Sequence, residues 1–146
     1  MPLTLAQASA IVDIALKTGR DANFHPLTVA VLDAGGHLVT CKREDKSGIL
    51  RFDIAFGKAW GALGMGFGSR TAAARAGKQQ TFYTVLACVS QGRLVPVPGG
   101  VLIRDSASDV IGAVGISGDT SINDEKCAIA GIEAAGLKAD PGSDAG

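Results

Sequence analysis

Apolar residues recur at helical spacing near the start of the chain, with Leu5, Ala8, Ile11, Val12, Ala15 and Leu16 falling on one face. Thr4, with Gln7 three residues on, forms a capping-box signature ahead of them. The pattern predicts a first helix from about Leu5 to Gly19. The period then changes. Leu27 to Leu32 is a β-branched, apolar run, Asp33-Ala34-Gly35-Gly36 is a turn, and His37 to Cys41 is a second apolar run, so the three together predict a β-hairpin. Ile49 to Phe67 returns to helical spacing, with Ile54, Ala55, Ala59, Ala62 and Leu63 available for burial. Gly57 and Gly61 on this helix have the spacing that lets another backbone approach closely, and a second subunit is the candidate neighbour. Gly64, Gly66 and Gly68 are expected to fray the helix end.

Ser69 to Gly77 reads as an Ala-rich connector or short helix bearing arginines, and Thr81 to Val89 as a short apolar element of undecided type. Pro96, Pro98, Gly99 and Gly100 break any helix. Val101 to Arg104 and Val110 to Ser117, joined by the polar turn 105–109, predict a second hairpin. Residues 119–123 offer several N-caps, Asp124 and Glu125 put negative charge at a helix start, and Ala128, Ile129, Ile132 and Ala135 form an apolar face up to Gly136. Lys138 to Gly146, with Pro141 and no apolar anchor, is expected to be a flexible tail, leaving one domain over 1–137. Because each strand pair is linked by a tight turn, a doubly wound parallel sheet is excluded. The fold class is α/β of the α+β kind, with a mainly antiparallel sheet and helices packed on it.

At 146 residues the chain suffices for one well-buried core. Its 14 Lys plus Arg balance 14 Asp plus Glu, so no global field attracts a polyanion, and nucleic acid is not the expected partner. No run approaches the roughly 18–20 apolar residues needed to cross a bilayer, and no secretory leader pattern opens the chain, so no membrane partner and a cytoplasmic location are expected. Cys41, Cys88 and Cys127 are widely spaced and odd in number, which indicates neither a disulfide framework nor a zinc site.

The chemistry-bearing residues form three groups. Arg43, Arg51, Lys58 and Arg70 flank a helical stretch that also carries Phe52, Phe56 and Trp60, a combination suited to a flat ligand with carboxylates. The alternative is aromatic core packing with solvated charges. Lys58 stands out because Phe56, Gly57, Ala59, Trp60 and Gly61 surround it, and a lysine there is expected to be partly desolvated. Asp119, Asp124 and Glu125 are either helix-start residues or a carboxylate acid/base. His25 and His37 are the only histidines, each a loop residue or a candidate axial donor to haem, with Cys41 and Met65 secondary. No P-loop, H-E-x-x-H, G-x-S-x-G or dinucleotide fingerprint is present.

Taken in order, VLDAGGHLV, Arg43-x-Asp45, Asp53-Ile54-Ala55-x-x-Lys58-Ala59, PGGVLI, VIGAVGISGD, Asp124-Glu125 and Ala130-Gly131-Ile132 resemble the GlcG/HbpS-like family over residues 3–137. The resemblance implies a profilin-like, five-stranded antiparallel sheet with helices on both sides, one strand more than the hairpins supply. It also implies a homo-oligomer, and haem as a cofactor, since some members bind or degrade haem and others are the related domain of PduO-type proteins. The chain departs from the family pattern at Asp45-Lys46-Ser47, where Asp-Gly-Ala is frequent, at Arg51, where serine often precedes the helix, and at Gly99-Gly100-Val101-Leu102, where Gly-Gly-Val-Pro is frequent. The first two changes add cations and favour an anionic ligand.

The leading expectation is therefore a small-molecule binding protein for haem or a related anionic macrocycle. Arg43, Arg51, Phe52, Lys58, Gly99 and Gly100 would bind the ligand, and His37 or His25 would be the axial donor. The rival is a catabolic enzyme moving a proton on a small organic acid through Lys58 with Asp124 or Glu125. A third reading is a non-catalytic accessory subunit, with the Gly57 and Gly61 face as its interface.

Overall fold

A computed structural model describes residues 1–146. The element order is α1 (Leu5–Asp21), β1 (Thr28–Asp33), β2 (Leu38–Arg43), α2 (Arg51–Met65), α3 (Ser69–Lys78), α4 (Gln80–Val89), β3 (Gly100–Arg104), β4 (Val110–Ser117), α5 (Ser121–Ala134) and β5 (Lys138–Asp140). The strands make one sheet in the order β2-β1-β4-β3-β5, and every pairing is antiparallel.

Alternation along the strands sends side chains to two different layers. Val29, Val31, Val101, Ile103, Val114 and Ile116 meet α1 and α5 through Ile11, Val12, Ala15, Cys127, Ala128 and Ile132. On the other face Leu32, Leu102 and Ala113 meet Ala59 and Ala62 of α2. The central strands β1 and β4 are thus buried on both sides, which explains why their runs are almost continuously apolar. α1 begins as its sequence predicts, with Thr4 Oγ1 accepting from Gln7 N–H at 3.1 Å and Gln7 Oε1 accepting from Thr4 N–H at 3.0 Å.

The element at 81–89, undecided from the sequence, is helical, as α4, and 69–77 takes the short-helix alternative as part of α3. Two expectations require correction. Residues 138–140, expected to begin a tail, form the edge strand β5, pairing with β3 at Leu102, Ile103 and Arg104. Further on, Arg70 N–H donates to Pro141 O at 3.3 Å and Ser143 N–H to Thr71 Oγ1 at 2.8 Å, so the C-terminal segment is laid against α3. Finally, the Gly57 and Gly61 face is filled from within the same chain. A Cβ on Gly61 would sit 3.2 Å from Leu94 Cγ, and one on Gly57 would collide with Val95 and the Arg93 carbonyl. The close approach is real, but its neighbour is the 93–95 segment and not another subunit.

Candidate functional site

The end of β4 and the start of α5 converge on the middle of α2. β4 stays buried to its last residue, Ser117, Gly118 turns the chain at φ +155°, and Thr120 caps α5 by accepting from Asn123 N–H at 3.2 Å. This geometry carries Asp124 inward, so it is no ordinary helix-start residue. Lys58, only 2% exposed, donates from Nζ to Ile116 O at 2.9 Å and to Asp124 Oδ2 at 3.2 Å. Asp124 Oδ1 accepts from Asp119 N–H at 2.9 Å. Burial pushes the Lys58 amine below its ordinary value, with the Asp124 charge opposing, and the nearby Arg51 adding to the shift. Burial likewise raises Asp124, opposed mainly by Lys58.

Gly99 and Gly100, expected to touch ligand, are instead buried against Lys58. A Cβ on Gly99, at φ +119°, would lie 2.9 Å from Lys58 Nζ, and one on Gly100 would strike the Lys58 carbonyl. Gly100 N–H donates to Ser69 Oγ at 2.7 Å. Glu125 does not reach Lys58. It takes a forked pair of bonds from Arg70, with Nη2 to Oε1 at 2.8 Å and Nε to Oε2 at 3.0 Å, and Arg70 Nη1 also holds Asp144 at 2.8 Å.

One step further out, at the protein surface, the cations gather. A cavity of about 390 Å³ is lined by His25, Pro26, Lys46, Ser47, Gly48, Arg51 and Gly118. On the other side of Pro26 a second concavity of about 410 Å³ is lined by Arg20, Pro26, Arg43, Glu44 and Asp45. Arg51 Nη1 donates to Ser117 Oγ at 3.1 Å, which fixes the guanidinium at the end of β4. Arg43, Lys46 and Arg51 have no carboxylate partner, whereas Arg20 pairs with Glu44 at 2.9 Å. Glu44 is further occupied by Leu27 N–H at 2.7 Å.

The two histidines lie at opposite ends of β1. His25 precedes the strand, and its N–H donates to Asp119 Oδ2 at 2.8 Å. His37 comes after the hairpin turn, with Nδ1 3.4 Å from Asp33 Oδ1. The five steps along the six-residue strand β1, at about 3.4 Å each, set its two ends roughly 17 Å apart. His37 borders an apolar hollow of about 520 Å³ with Met1, Leu3, Val39, Val110 and Ile111. Of the two histidines, only His25 lines a cavity with Arg51, and Arg43 lies in the adjoining concavity that shares Pro26 with it. Phe52 and Phe56 meet as a tilted pair with ring centroids 5.9 Å apart, and Trp60 lies under Arg93, 4.1 Å from the ring centroid. Lys46, not named among the expected ligand residues, lines the cavity with Arg51, and the departure from the family pattern at Asp45-Lys46-Ser47 was the signal for it.

The elements and their pairing define a single-sheet α+β fold of the profilin-like kind, with a cation-lined concavity at one end of the sheet. The chain belongs to the family described as haem degrading protein HbpS-like, whose model matches residues 3–133. Among solved structures, it is similar to the Klebsiella pneumoniae protein ORFY, at 30% identity and a TM-score of 0.79, over 92% of this chain and 90% of that one. A PduOC:heme complex superposes with a TM-score of 0.85 at 23% identity, covering 94% of this chain and 97% of that one. A structure of HbpS gives 0.79 at 22% identity, covering 92% and 90%. No curated protein sequence matches the chain. No helix is long and apolar enough to cross a membrane.

Proposed function

We propose that this protein binds haem or a related anionic macrocycle, with the ligand's carboxylates at the His25–Arg51 end of the sheet. The observation that carries the reading is the gathering of His25, Arg43, Lys46 and Arg51 around Pro26, with none of the three cations neutralised by a carboxylate. Membership of the HbpS-like family and the likeness to a protein crystallised with haem support the same ligand class. The residues present suit the anionic edge of a macrocycle and offer an imidazole nitrogen as donor, while Pro26 is the one apolar wall. Arg43 and Arg51 would hold carboxylates in forked geometry, and Lys46 would add a point charge. The bound group would supply the metal-centred chemistry, and the chain's own part is to grip and orient it.

A shallow site of this kind gains from a second covering surface, and we read the protein as a homo-oligomer. Phe82, Val85 and Val89 of α4 are 50%, 52% and 70% exposed and share one side of the helix, an apolar stripe suited to burial against another copy.

The acid/base reading keeps one observation in its favour, the 3.2 Å contact between Lys58 and Asp124 with their opposed pKa directions. Their near-complete burial favours a strut between α2 and α5 over a reacting pair. Native mass spectrometry of the purified protein with its absorbance spectrum tests the binding reading. A retained mass with a Soret band is expected after hemin is supplied, and apoprotein alone would overturn it.

A further inference from the structure

We propose that the cavity between β4 and α2 is a binding site for a compact oxyanion carrying two negative charges, taken up whether or not a macrocycle is attached to it. The inference rests on reading Arg51 as a ligand residue, but not on the ligand being haem.

The cavity wall is cationic or neutral throughout, with Lys46, Arg51 and His25 around Ser47, Gly48 and Gly118. Arg51 is already aimed. One guanidinium nitrogen is held by Ser117 Oγ, and its other donors have no protein acceptor, so the fork is pre-oriented at little further entropic cost. Ser47, itself 8% exposed, is locked by a 2.7 Å bond to Thr28 Oγ1, which fixes the turn that presents Lys46. Lys46 holds φ +71°, a conformation that an L-residue adopts at some cost and that keeps this turn tight.

The neighbouring carboxylates form no ion pair with Lys46 or Arg51, because their oxygens are turned to other donors. Asp119 spends Oδ2 on His25 N–H and Oδ1 on Thr120 N–H and the Asn123 amide. Glu44 spends its oxygens on Arg20 and Leu27 N–H. The first turn of α2 opens beside the cavity with no side-chain cap, its N-cap being Leu50, and the helix runs for 15 residues, so its positive end adds to the field. Asp53 in that turn is exposed and offsets part of this contribution. At about 390 Å³ the cavity lies at the small end of the range for ligand pockets, suited to a phosphate monoester or a short dicarboxylate. The shared chemistry is two anionic oxygens set to meet Arg51 and Lys46 together.

Isothermal titration of the full chain at constant ionic strength, with inorganic phosphate, succinate and acetate, tests the proposal. Saturable binding of phosphate or succinate, with acetate weaker by roughly tenfold or more, is expected. Which of the two dianions binds then identifies the ligand's source. Arg51→Gln and Lys46→Gln should each weaken the dianion roughly tenfold, while Lys17→Gln on α1 should not. Equal response to acetate, no saturation, or full affinity in Arg51→Gln with a native circular-dichroism spectrum overturns the proposal. A parallel hemin titration separates the two claims. Dianion binding without a Soret shift leaves this site standing and removes the haem reading, and a Soret shift without dianion binding does the reverse.

Discussion

Lys58 and Asp124, 66 residues apart in the chain, meet at 3.2 Å inside the protein, and their side chains are 3% and 1% exposed. The pair ties α2 to α5 across the end of β4, with Ile116 O completing the lysine's shell. An ion pair so buried gains strong attraction but loses hydration on both sides, so removing one partner is far costlier than removing both.

Lys58→Met is expected to destabilise the fold by about 3–5 kcal/mol, because it leaves Asp124 buried beside a methionine. Lys58→Met with Asp124→Asn should recover much of that loss, since Asn still accepts from Asp119 N–H. Urea denaturation of the two single variants and the double variant measures the coupling directly. Additive losses would contradict the strut.

Asp119 supplies a pH signature. Its carboxylate, held by the Asn123 amide and then by the N–H groups of His25 and Thr120, is brought down to about 2 from an ordinary 3.8. A lowered carboxylate pKa contributes stability above the unfolded value, and that stability is lost as pH falls from about 4 to about 2. Asp119→Ala should therefore cost about 1–2 kcal/mol at pH 7, and the gap to the unmodified protein should close towards pH 2. Urea midpoints at pH 7, 4 and 2.5 measure it.

Removing residues 138–146 should destabilise the protein, because β5 shields the edge of β3 and brings the 2.9 Å bond from Arg104 Nε to Asp140. A loss of about 1–3 kcal/mol is expected, on the order of the few hydrogen bonds removed, together with increased aggregation. Unchanged thermal stability of the shortened chain would mean that the segment is a tail after all.

Self-association through α4 predicts that Val85→Asp lowers the mass measured by light scattering while leaving helix content intact. A monomeric mass for the unmodified protein at every concentration would remove the α4 interface.

Much of the fold was legible because local patterns carried it. The Asp33-Ala34-Gly35-Gly36 turn and the runs beside it resolved the first hairpin, and residues 110–117 match β4 to the residue. β5 was hidden because three residues, with Ala139 the only apolar one, carry no local signal and exist as a strand only by pairing with β3. Thr81–Val89 mixes β-branched residues with an apolar stripe, so period and propensity disagree there and the local pattern does not decide for helix. For the site, the desolvation of Lys58 was readable from its small apolar neighbours. Its partner was not, because a contact across 66 residues depends on the chirality and register of the whole sheet. The separation of His25 from His37 could have been read in advance, since a six-residue strand in a hairpin holds the residue before its start and the residue after its turn at opposite ends.

The central claim is that an anionic ligand is gripped at the His25–Arg51 end of the sheet, and the most direct test is a hemin titration monitored by Soret absorbance. Unmodified protein, His25→Ala, His37→Ala and Arg51→Gln are compared at equal folded concentration. A saturable shift that is changed in position by His25→Ala, weakened roughly tenfold by Arg51→Gln and untouched by His37→Ala is predicted. No saturable shift, or one that only His37→Ala abolishes, contradicts the account.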